Sequence, residues 1–149
     1  MATMTPTDVR QSIATHLAGL AGWRESAFPA DIYGRSPNSL AHQTFAVGVE
    51  SSTPVTDRQK YTDGVLTASV IFLRYGWRLA PKALIAGYDA AMSGGSDLIK
   101  RVMTRSSVDP IWPGSLKPIL STFVVKVDDN GEWATGEVRF EVGHLMPLS

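Results

Sequence analysis

The chain contains no cysteine. That excludes a disulfide scaffold, a thiolate zinc site and a cysteine nucleophile. Charge of one sign is also missing: 14 Lys and Arg stand against 14 Asp and Glu. A protein that grips nucleic acid through its phosphates usually carries a basic surplus. Zero net charge leaves little self-repulsion, which suits a subunit working inside an assembly. Long apolar runs are absent as well. The longest are a few residues, broken by Arg, Gly or Ser, so no transmembrane helix is predicted. The stretch Met1–Asp8 is polar and lacks a charged region followed by an apolar one. No targeting segment is predicted, and a soluble protein made in the cytosol of its producing cell is expected.

Motifs that carry chemistry are missing too. The three histidines, His16, His42 and His144, fall in separate segments without H-x-x-x-H or H-x-H spacing. No G-x-S-x-G, P-loop or G-x-G-x-x-G occurs, and Gly94-Gly95-Ser96 lacks the rest of any phosphate motif. Asp128-Asp129 precedes a turn, where Asp is favoured on conformational grounds alone. Lys100, Arg101 and Arg105 lie near a helix C-terminus, where the dipole favours cations. Trp112 and Trp133 are not interleaved with basic residues as a base-stacking platform would be. The residues therefore assign no catalytic, cofactor-binding or metal-binding position.

What is present is an ordinary globular composition, 44% hydrophobic over 149 residues, which predicts a single domain spanning 1–149. A first helix is expected from Pro6 to about Leu20. Thr5 can cap it, Pro6 suits the first helical position, and Asp8 falls in the first turn. Val9, Ile13, Leu17 and Leu20 make one apolar stripe. Residues 22–41 read as a loop in which Trp23, Phe28 and Tyr33 stand among Gly and Pro. These aromatics either plug the edge of the core or serve a binding role.

Two strands are expected next, His42–Glu50 and Asp63–Trp77. The second has apolar residues on both faces, so a central, covered strand is predicted. Between them, residues 51–62 are polar and much longer than a tight hairpin requires. They read as a projecting hairpin arm, with a disordered surface loop as the alternative. A helical region is expected from Pro81, with Leu84, Ile85, Tyr88, Ala91 and Met92 in period, interrupted at Ser93-Gly94-Gly95. Ser96 then caps a continuation carrying Leu98, Ile99, Val102 and Met103. Asp109–Gly114 reads as a rigid loop. Asn130-Gly131 predicts a two-residue type I′ hairpin with Asp129 opposite Glu132. That register puts Val127 opposite Ala134, Val125 opposite Gly136, Phe123 opposite Val138 and Ser121 opposite Phe140. Lys126, Glu137 and Arg139 then share a polar row, while a one-residue slip would mix the faces. The predicted fold class is α+β: a mainly antiparallel four-stranded sheet, helices packed on one face, order α-β-β-α-β-β, with a long polar hairpin arm.

In this order of elements, and most closely in the ending Val127-Asp128-Asp129-Asn130-Gly131-Glu132-Trp133 with its alternating last strand through Val142, the chain resembles the tail terminator (tail completion) proteins of long-tailed bacteriophages. The resemblance implies a structural virion protein in a homo-oligomeric ring, six-fold in that family, at the head-proximal end of the tail. It implies synthesis in the host cytoplasm, and contact with the tail tube protein on one side and a head–tail connector or stopper protein on the other. DNA would pass through without specific binding, and neither cofactor nor membrane is implied. Closed rings use heterologous contacts. The expected subunit or partner contacts are Thr53, Val55, Arg58, Lys60 and Tyr61 of the arm and Trp23, Phe28 and Tyr33 of the aromatic loop. The alternatives are a head-closure or neck connector protein, a minor tail-tube protein and, more distantly, a small α+β ligand-binding domain or enzyme, or a toxin or regulator acting through the arm.

Overall fold

The computed structural model describes residues 3–27, 42–55, 64–79, 84–108 and 118–147. Helix α1 (Pro6–Ala18) begins as its sequence demands. Thr5 Oγ1 accepts the Asp8 N–H at 3.1 Å, and the Asp8 carboxylate accepts the Thr5 N–H at 2.9 Å. This reciprocal cap satisfies two backbone donors at the helix start. Val9, Ile13 and Leu17 are buried, so the stripe faces the core.

Among the described residues, five strands form one sheet: β1 (Arg24–Glu25), β2 (Thr44–Pro54), β3 (Gly64–Arg78), β4 (Ile119–Val127) and β5 (Trp133–Pro147). Their spatial order is β1-β2-β3-β5-β4. The sheet is mixed, because β1 runs parallel to β2 while every other pair is antiparallel. This corrects the expected four-stranded antiparallel sheet in the order α-β-β-α-β-β. The extra strand lies inside the expected loop 22–41. Two residues carry no alternation, and their pairing with Thr44 and Phe45 depends on a partner distant in sequence.

β3 is central, with β2 on one side and β5 along its whole length on the other. Its residues Ile71, Leu73 and Tyr75 face the helices with Phe45 and Val47 of β2 and Val138, Phe140 and Val142 of β5. Helix α2 (Ile85–Val108) closes this core with Leu98 and Val102. β2 runs on through Pro54, so the first residues of the expected arm are strand rather than loop. Val55 N–H donates to Leu66 O at 2.9 Å, which turns the adjacent Pro54 nitrogen toward the outer side of β2. There proline removes no ladder bond.

α2 also corrects an expectation. It is continuous through Ser93-Gly94-Gly95. A Cβ on Gly94 would stand 2.5 Å from the Trp77 ring, and one on Gly95 would collide with the Phe123 ring and stand 2.5 Å from the Tyr75 hydroxyl. The pair is a notch that receives three aromatic rings. The Tyr75 hydroxyl donates to Ala91 O at 2.6 Å and accepts the Gly95 N–H, so it lies across one step of the helical ladder. Burial pushes its ionisation well above the usual phenol range, and the Gly95 N–H opposes that only in part. Gly136 on β5 likewise leaves room for the Tyr75 ring.

The final hairpin keeps the expected pairs from Val127–Ala134 to Thr122–Arg139. A bulge then puts Leu120, not Ser121, opposite Phe140. The turn is also different. Only Gly131 has positive φ, at 69°, whereas type I′ needs it at both central residues. Gly131 N–H donates to Asp128 O at 3.0 Å, and Asp128 N–H to Trp133 O at 2.9 Å. Asp128 Oδ1 accepts the Glu132 and Trp133 N–H groups. The Asp128 side chain thus organises a wider turn than Asn130-Gly131 alone suggests.

Candidate interaction surfaces

At the base of the expected arm, three strands and the N-terminal segment meet at one buried histidine. Met4 N–H donates to Leu145 O at 2.8 Å, which lays the segment before α1 along β5. His144 Nδ1 lies 2.8 Å from Met4 O, and its Nε2 lies 2.7 Å from Ser69 Oγ. Ser69 Oγ lies 2.8 Å from Ser52 Oγ. A carbonyl can only accept, so Nδ1 carries the proton and Nε2 accepts the Ser69 hydroxyl. Ser69 in turn accepts from Ser52, whose residue is exposed. All donors therefore run from the surface inward. Burial holds the His144 ring below the usual imidazole range, and the bond to Met4 O opposes that. Ser69 and His144 resemble a nucleophile and its base. Both are fully buried, however, and the third partner is a backbone carbonyl. The arrangement ties β2 and β3 to β5 and to the segment before α1.

Further out, Thr53 and Val55 are exposed, as a contact role needs. Arg58, Lys60 and Tyr61 lie outside the described residues, as do Phe28 and Tyr33. Trp23 is buried. Its ring meets Tyr75 edge-on at 5.4 Å and lies 5.9 Å from Trp77. It packs as a core residue, which was one of its two expected roles.

The sheet face turned away from the helices carries a charged row. Arg139 reaches Glu50 with two bonds, at 3.0 and 3.3 Å, and Arg74 reaches Glu137 at 2.9 Å. Both guanidinium groups lie over the Phe72 ring, at 4.7 Å for Arg74 and 4.5 Å for Arg139. The Lys126 ammonium stands 3.9 Å from Glu137. Glu137 and Arg139 were legible as a polar row from the hairpin register. Glu50, Phe72 and Arg74 were not, because their approach depends on how β2 and β3 meet β5.

β4 forms one edge of the sheet and is exposed along most of its length. Ile119, Leu120, Val124 and Val127 are each at least 41% exposed. At the other edge β1 covers only Thr44 and Phe45 of β2. His42 accepts the Arg78 N–H at 3.0 Å and packs on Trp77. Burial and then the Arg78 charge hold its ring below the usual range. His16 is buried between the helices, its Nε2 3.2 Å from Arg101 O, while Arg101 Nε donates to His16 O. Among the described residues no group of three His, Asp or Glu could hold a metal ion. Among them, too, no helix is long and apolar enough to cross a membrane.

No protein-family model matches the chain, and no curated protein does. Among solved structures, the chain shares its fold with a chain of the virion of a native gene transfer agent (GTA) particle. The TM-score is 0.63 at 11% identity, over 92% of this chain and 94% of that one.

Proposed function

We propose that this chain is a structural virion protein that closes the head-proximal end of a phage tail tube. One observation carries the reading: a fold shared over nearly the whole length with a chain of a GTA virion. The acidic turn with Trp133 and its alternating last strand support it from the sequence. In this reading the protein is not an enzyme and acts by occupying a surface. It binds the last ring of tube subunits where the next ring would bind, and so ends polymerisation. Its other side is then the platform for a head connector or stopper protein.

A homo-oligomeric ring, six-fold as in tail terminators, supplies both surfaces. Thr53 and Val55, with Arg58, Lys60, Tyr61, Phe28 and Tyr33, are the proposed subunit contacts. Trp23, buried in the monomer, would serve by fixing the chain from which Phe28 and Tyr33 follow. Balanced charge supports passage of DNA, since a strongly basic lumen would hold the genome by its phosphates.

Electron microscopy of lysates with an early stop codon in the gene tests this. The expected result is filled, tailless heads beside overlong tubes, and restoration of joining when purified protein is added without metal or nucleotide. Normal tails on filled heads would overturn the proposal. Tubes of normal length that fail to join would move the protein to the head side, as a neck connector.

A further inference from the structure

The two edges of the sheet differ in a way that bears on how copies associate. β4 presents one row of backbone N–H and C=O groups to its outer side, and its side chains there include Ile119, Leu120, Val124 and Val127. No proline lies within it, and the protective devices usual at an edge are few: the bulge beside Ser121 and Lys126. A long, apolar, unpaired edge of this kind is a template for another strand.

The chain carries a matching strand at its opposite edge. Beyond Phe45, β2 has no neighbour on its outer side among the described residues, and Glu50 to Val55 are all exposed. The polarity also matches. β2 and β3 are antiparallel, β3 and β5 are antiparallel, and β5 and β4 are antiparallel, so β4 runs opposite to β2. Rotation about an axis along the strands preserves these directions. It would bring β4 of one copy antiparallel to β2 of the next, the same pairing as inside the sheet. Such a rotation also keeps each residue at its height along the strands. The ladders put Ile119 level with Ser51, Leu120 with Val49, Thr122 with Gly48 and Phe123 with Val47, so the exposed part of β4 faces the uncovered part of β2.

We infer that the outer edge of β4 pairs with the outer edge of β2, over about Val47–Ser51, of a second copy of this chain. The contact is heterologous, so it propagates from copy to copy and closes if the rotation permits. The inference rests on the ring reading for closure, but the edge pairing stands or falls by its own test.

The absence of cysteine makes disulfide trapping clean. Opposed residues of an antiparallel pair have Cα atoms roughly 4.5–5.5 Å apart, within disulfide reach. Ile119→Cys, level with Ser51, and Thr122→Cys on β4 are each combined in one chain with Ser51→Cys or Thr53→Cys on β2. All four positions are exposed and lie on the same face, so the variants should keep the wild-type melting temperature. On mild oxidation at least one combination should give a ladder of covalent multimers, while each single variant stays monomeric on a denaturing gel. Dimers from a single β4 variant would show β4 pairing with itself and overturn the inference. No ladder from any combination, in protein whose solution mass is multimeric, would also overturn it and leave the ring reading intact. A ladder from protein that fails to restore head–tail joining would uphold the edge pairing and remove the terminator reading.

Discussion

Glycine in the middle of a helix normally weakens it, so Gly→Ala at an exposed helical position gains roughly 1 kcal/mol. Gly95 should do the opposite. A methyl group there meets the Phe123 ring and the Tyr75 hydroxyl, both held by packing on the sheet. Gly95→Ala should therefore cost about 1–3 kcal/mol, the range typical of overpacking. Urea unfolding of the two proteins gives the sign directly, and a stabilised variant would mean the rings do not seat in the helix. The same residue explains why Tyr75 is buried without a lost hydrogen bond. Its hydroxyl needs a donor and an acceptor, and a helix with a side-chain-free turn supplies both.

At the scale of elements, the junction of the N-terminal segment with β2, β3 and β5 makes stability depend on pH through His144. The imidazole is disfavoured as a cation in the folded chain, so its folded pKa lies below the ordinary 6.5. Above that value both folded and unfolded states are neutral, and stability does not change with this group. As pH falls below 6.5 the unfolded chain takes up a proton more readily, and stability declines until the folded ring also protonates. His42, shifted the same way, adds to the slope. Urea midpoints at pH 7.5 and about pH 5.5 should show the decline, with a smaller difference in His144→Gln; an equal difference in that variant would assign the slope elsewhere. Protonation also reverses the serine pair. A protonated Nε2 must donate to Ser69, which then turns its own hydroxyl toward Ser52. The elements differ in how far their sequence announced them. α1 and the final hairpin register were legible because cap, stripe and alternation lie within a few residues of each other. The turn type was not, since Asp128 rather than Asn130 organises it. β1 was hidden because two residues have no period, and the unbroken α2 because the rings that fill its glycine notch come from β3 and β4. Among the proposed contacts, exposure at Thr53 and Val55 accords with the polar character of the segment 51–62, whereas the burial of Trp23 depended on Tyr75 and Trp77, both remote in sequence.

For the molecule as a whole, the position of β5 matters most. It is the last strand in sequence, yet it pairs with β3 over its full length and with β4 on the other side. Contacts of such separation are slow to form. During synthesis, β3 leaves the ribosome well before its partner. At about 5–20 residues per second, several seconds pass in which its inner edge has no strand beside it. A nascent chain in that interval offers Val70, Phe72 and Leu73 to whatever is near, including other nascent copies on the same message. A chain stopped at Asp128 should consequently partition into the insoluble fraction when expressed, while the full chain stays in the supernatant. Equal solubility of the two would mean that the first four strands find a stable arrangement without β5. Otherwise the order of translation itself becomes a hazard, and one that grows with the rate at which ribosomes load the message. Under the proposed function, which needs the protein at one end of each particle, sparing translation would keep the chain below that hazard.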